Sequence, residues 1–152
     1  MINEIYNKDV LRLAAAISRI DPLAEPDAHV HMRSPLCGST IDVELKVEKG
    51  RIADYAQSIK ACALGQASAS VMAQVGIGTD AAEIKRVRDA LEKMLKEEGP
   101  PPDGAWAALK ALQPAKEAKS RHGAILLPFD AVLKALAEAE RAAQPHPEPV
   151  EG

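Results

Sequence analysis

The chain has 152 residues, 47% of them hydrophobic by type but with only one tryptophan, two tyrosines and one phenylalanine, and its formal net charge is −3. That length suits a single domain with its own core, and the mild acidity excludes the basic footprint that nucleic acid or an anionic membrane surface requires. No apolar run is long enough to span a bilayer, and Met1-Ile2-Asn3-Glu4 does not open a secretory leader, so the expected compartment is the cytosol, where thiols are normally reduced.

In chain order, residues 2–19 read as an amphipathic helix with Ile5, Val10, Leu13, Ala14 and Ile17 near one face and Asn3 as its cap. Asp21 to Asp27 is a Pro-containing connector, and His29 to Arg33 reads as a short strand. Ile41, Val43, Leu45 and Val47 then alternate with Asp42, Glu44, Lys46 and Glu48, the period of a half-buried strand. Glu48-Lys49-Gly50 is a turn, and Arg51 to Lys60 returns as the second strand of a hairpin. A three-residue loop with Gly50 left-handed would pair Val47 with Arg51, Leu45 with Ala53 and Val43 with Tyr55.

Residues 63–75 form a helix rich in small side chains, and Asp80-Ala81-Ala82-Glu83 resembles a capping box that starts a helix with Ile84, Val87, Leu91 and Met94 as its stripe and Gly99 as its stop. Ala105 to Leu112 is a short helix with Trp106, Leu109 and Leu112 inward. Lys116 to Gly123 is a polar connector, and Pro128 suits the first turn of a last helix carrying Phe129, Val132, Leu133 and Leu136. The sum is an α+β domain over 1–143, a three-stranded antiparallel sheet covered by about five helices, followed by a Pro-rich acidic tail over 144–152 expected to be disordered.

The chemistry concentrates in the only two cysteines. Cys37 lies in Ser34-Pro35-Leu36-Cys37-Gly38-Ser39, a turn composition, and Cys62 stands where the hairpin's second strand gives way to a helix. If the pairing persists to the strand ends, a three-residue loop sets Cys37 opposite Ala61 and a two-residue loop sets it opposite Cys62; either makes the thiols neighbours. Two nearby thiols in a reducing compartment point to metal or redox chemistry more than to a structural disulfide. A helix start also favours the thiolate at Cys62, the form that attacks persulfides, with Cys37 to resolve or relay the sulfur. The plainer alternatives are that Cys62 is a small buried residue and Cys37 a turn residue. Ser39 has no assignable histidine and aspartate partners for a serine nucleophile, and Gly76-Ile77-Gly78 lacks the residues of a phosphate loop.

The order helix, Cys-Gly loop, hairpin, Cys at a helix start resembles the NifU/IscU/SufU family of iron–sulfur cluster assembly scaffolds, over roughly residues 2–140. Ser34-Pro35-Leu36-Cys37-Gly38 resembles the family's first cysteine loop. Cys62-Ala63-Leu64-Gly65-Gln66-Ala67-Ser68-Ala69-Ser70 resembles its second. Arg121-His122-Gly123-Ala124-Ile125-Leu126-Leu127 falls where the third cysteine segment lies. The chain departs from the pattern twice: Ser39 stands in place of the usual aspartate and Ala124 in place of the third cysteine.

The resemblance implies a protein that is not an enzyme. It would accept sulfur or a nascent cluster from a cysteine desulfurase and pass it to downstream acceptor proteins. Cys37 and Cys62 would bind an iron–sulfur cluster or iron, with zinc or nothing as the alternatives. Four ligands are usual for such sites, so the remainder would come from His122, His31, Asp42, an external thiol or a second copy in a homodimer. His122 in a polar connector reads more simply as solvated, His31 is open between solvent and site, and His146 lies in the tail. Lys119 and Arg121 could dock an acidic partner. The alternative within the family is a degenerate member that binds no metal and acts as a persulfide relay or as a docking or regulatory partner. A thiol redox enzyme is a third reading, against which stand the missing Cys-x-x-Cys and general base.

Overall fold

The structure, a computed structural model, describes residues 5–36 and 38–143. The expected cap Asn3 and tail 144–152 lie outside the described residues, as does Cys37. Among the described residues the first helix with both ends in view, α1, runs over Lys8–Ala15 and ends before the expected Arg19. Asn7 caps it, its side chain accepting the Val10 N–H, which satisfies one of the donors every helix start leaves open.

Three antiparallel strands follow, β1 (Ala28–Arg33), β2 (Thr40–Glu48) and β3 (Arg51–Lys60), in the order β1-β2-β3. The hairpin turn is not the expected three-residue loop. Lys49 and Gly50 both have positive φ, 54° and 79°, the signature of a two-residue type I′ turn, so Glu48 pairs with Arg51 and Val47 with Ile52. A bulge then leaves Ala53 without a partner, and Lys46 pairs with Asp54, Leu45 with Tyr55 and Val43 with Gln57. The physical reason is the core. Ile52 and Tyr55 are three residues apart yet both buried, which an unbroken two-residue period cannot achieve.

Helix α2 spans Ala63–Val75 and α3 Ala81–Lys96, as expected. Asp80 caps α3 by accepting the Glu83 N–H, but Glu83 does not complete a box. Its carboxylate accepts the Trp106 indole N–H at 2.9 Å. The left-handed residue after α3 is Glu98, and Gly99 N–H returns to the Lys93 carbonyl.

Gly104–Glu117 is a 3-10 helix of 14 residues, longer than the short helix expected. Trp106, Leu109, Leu112 and Ala115 are all buried, and their spacing of three is the 3-10 period, so one straight ridge faces the core. A short 3-10 turn over Lys119–Arg121 leads into α4, His122–Ala143. The expected connector is therefore helical at its end, and Pro128 sits inside α4 rather than in its first turn.

The core lies between the inner sheet face and the helices. α4 covers β1 and β2, α2 lies beside it over β3, α1 packs on α2, and the long 3-10 helix closes α2 and α3. Residues 124–129 of α4 are all buried, which explains why this stretch is apolar on every side. On the outer sheet face the connector after α1 acts as a strap. Arg19 accepts the Gln57 N–H at the β3 edge, Leu23 N–H reaches Glu44, and Asp27 N–H reaches the Leu45 carbonyl on β2, beside β1.

Candidate functional site

Cys62 is the N-cap of α2, in extended backbone (φ −69°, ψ 173°), half-buried, and its thiol is free and makes no capping hydrogen bond. The β3 ladder ends two residues earlier, where Lys60 pairs with Thr40. Thr40 is also the exit of the Ser34–Ser39 loop. Two backbone bonds tie that loop at its base: Ser34 N–H to the Ser39 carbonyl (2.8 Å) and Gly38 N–H to the Ser34 carbonyl (2.9 Å). Gly38 takes φ +74°, the conformation for which glycine is suited. The ladder thus brings the loop's exit at Thr40 and the approach to Cys62 at Lys60 together. Cys37 itself lies outside the described residues.

A third segment joins them. Gly123, the second residue of α4, lies so close to Ser34 that an added methyl would sit 2.5 Å from the Ser34 Oγ. The next residue, Ala124, is fully buried and faces Gly65, one turn into α2 from Cys62. A methyl at Gly65 would meet the Ala61 Cβ at 2.8 Å, the Ala124 carbonyl at 3.2 Å and the Ala124 Cβ at 3.4 Å. The seam continues at Ser68, whose hydroxyl donates to the Ile125 carbonyl at 2.6 Å. Pro128, lacking an N–H, can offer no helical bond to the Ala124 carbonyl, and it is there that α2 approaches. Three segments therefore converge: the Ser34–Ser39 loop, the start of α2 and the start of α4.

His122 does not share the Ala124 side of α4. Two residues along a helix turn the side chain by about 200°, and His122 is buried with its Nε2 at 3.0 Å from the Ala115 carbonyl in the 3-10 helix. The expectation of a solvated His122 fails because the helix begins there and the 3-10 ridge closes over it. His31 projects into solvent from β1 and is set against Asp42, not against Cys62. Among the described residues no three His, Cys, Asp or Glu side chains are grouped to hold a metal ion. No described helix is long and apolar enough to cross a membrane.

A small antiparallel sheet backed on one face by helices, with a free cysteine at a helix start beside a loop of the Cys-Gly kind, defines the class: an α+β fold of the cluster-scaffold type. The sequence matches the NifU-like N terminal domain family over residues 5–121, and the chain belongs to that family. A nitrogen-fixing NifU-like protein (N-terminal) from Brucella abortus is similar at 48% identity, with a TM-score of 0.89 over 93% of this chain and 99% of that one. A protein described as a candidate iron–sulfur cluster assembly scaffold for the SUF system of Fervidobacterium islandicum AW-1 shares the fold, at 19% identity and a TM-score of 0.78 over 88% of this chain and 98% of that one. Comparison with curated proteins finds no match.

Proposed function

We propose that this chain serves iron–sulfur cluster assembly as a scaffold-like carrier. Cys37 and Cys62 accept sulfur or a nascent cluster from a cysteine desulfurase and hand it to acceptor proteins; the chain itself turns over no substrate. Membership of the family and the likeness to the Brucella protein support the reading. The observation that carries it is the convergence of the Ser34–Ser39 loop, Cys62 and the Gly123–Ala124 corner of α4.

Ala124 closes that corner with a methyl group where the family resemblance puts a thiol, so one chain offers two thiolates. A homodimer sharing one cluster would supply four. Anaerobic reconstitution with iron, sulfide and desulfurase tests this. One cluster per two chains, lost in both Cys37→Ser and Cys62→Ser, is the expected result; no cluster and no bound metal in the wild type overturns it. The persulfide-relay reading is favoured by one observation, that Cys62 stands at the N-cap of α2, where the helix dipole favours the thiolate. Persulfide on Cys62 that survives Cys37→Ser, without cluster, would decide for the relay.

A further inference from the structure

Two histidines and a carboxylate meet on the outer face of the sheet. His29 and His31 are two residues apart on β1 and so project from the same face, while Ala28 and Val30 point to the core. Across the ladder His31 pairs with Asp42 and His29 with Glu44. The Nε2 of His29 and the Nδ1 of His31 each lie 3.2 Å from one oxygen, Asp42 Oδ1. An open cavity of about 50 Å³ lies beside Asp42 and Glu44, lined also by Ile20, Pro22 and Ser58. The connector's strap covers neither imidazole; their side chains are 55% and 61% exposed.

We propose that His29, His31 and Asp42 form a binding site for a first-row divalent transition metal of the kind imidazole prefers, Fe²⁺, Ni²⁺, Cu²⁺ or Zn²⁺. Imidazoles two apart on a strand can close on one ion as a chelate, and the carboxylate is already between them. The site is not preformed. Both rings are turned onto the carboxylate oxygen, so no three side chains yet surround a common point. An arriving ion replaces these two contacts with metal–nitrogen bonds of about 2.0–2.1 Å, and the exposed rings rotate without disturbing the core. Asp42 supplies the third ligand. Glu44 is held back, its Oε1 accepting the Leu23 N–H at 2.8 Å. Two imidazoles and one carboxylate leave positions open to water, so the ion can be loaded and released.

His31 and Asp42 stand two residue pairs from the Arg33–Thr40 end of the ladder, about 7 Å along the strand from the base of the cysteine loop. The site uses neither thiol, so it stands or falls apart from the scaffold reading.

The test is calorimetric titration of Zn²⁺, and separately Ni²⁺, into the Cys37→Ser/Cys62→Ser double variant. We expect one ion per chain, an affinity at least tenfold weaker after His29→Gln or His31→Gln, and a smaller loss after Asp42→Asn. Broadening of the His29 and His31 ring signals by Ni²⁺ should accompany binding. Both histidines are exposed, so the variants should melt with the parent when metal-free. Absence of binding, or binding unchanged by His31→Gln, overturns the proposal.

Discussion

Two of the walls around α2, those towards α4 and towards the 3-10 helix, are built on opposite principles. Towards α4 the contact is a seam of small groups, Gly65 against Ala124 and the Ser68 hydroxyl against the Ile125 carbonyl. Towards the 3-10 helix it is a ridge of large ones, Trp106, Leu109 and Leu112; the ridge reaches α4 as well, where the Trp106 ring lies 5.6 Å from that of Phe129 and is tilted by 51°. The seam holds two backbones close and fixes where Cys62 stands. The ridge supplies buried area in a chain with only four aromatic side chains. Position is specified where nothing can be added, and stability where nothing can be removed.

Substitution can break this contrast. The largest effect should come from the ridge: Trp106→Ala leaves a cavity and deprives Glu83 of its indole partner, and should cost about 3–5 kcal/mol in urea unfolding. Gly65→Ala acts in the opposite sense, by overfilling. It should cost about 1–3 kcal/mol and displace the start of α2, so that Cys62 alkylation rates change where Trp106→Phe leaves them alone. If Gly65→Ala costs nothing, the seam is looser than described.

Tyr55 sharpens the comparison from the sheet side. Its hydroxyl donates to Gln57 Oε1 at 2.7 Å, and the Gln57 amide donates to the Ala69 carbonyl of α2. Burial pushes the Tyr55 phenol well above its ordinary range. The folded state therefore disfavours the phenolate that the unfolded chain forms above about pH 10, and stability present below that pH is lost as pH rises. Tyr55→Phe should cost about 1–3 kcal/mol at neutral pH and flatten the alkaline fall; an identical alkaline profile would assign the fall to other groups.

The smallest effect belongs to the exposed side of α3. The Lys85 hydrogen bond, at 2.8 Å, holds the Asp89 carboxyl below its usual range, so this contribution exists above that range and fades as pH falls through it. Both side chains are largely solvated, and Lys85→Ala should cost no more than about 0.5 kcal/mol, seen as a slight shift in the acid limb.

Much of this was legible in the residues. Alternation from Ile41 to Val47 gave β2, the composition shift at Cys62 gave the start of α2, and the two cysteine settings gave the family resemblance. The three-residue spacing of Trp106, Leu109, Leu112 and Ala115 carries the 3-10 period in the sequence as well. The start of α4 was not legible, because Lys119 to Gly123 is polar and Pro128 mimics a first-turn residue. There the 3-10 turn of Lys119–Arg121 runs straight into the helix, with His122 packed on the Ala115 carbonyl.

The sequence by itself determined the three strands and helices α2 and α3, because hydrophobic period and the residues at turns and caps are local properties of the chain. The tertiary structure alone decided the bulge at Ala53, the meeting of Gly65 with Ala124 and the approach of His29 and His31 to Asp42. Each depends on residues that are distant in the chain, and no local preference states which side chain will fill the space another leaves.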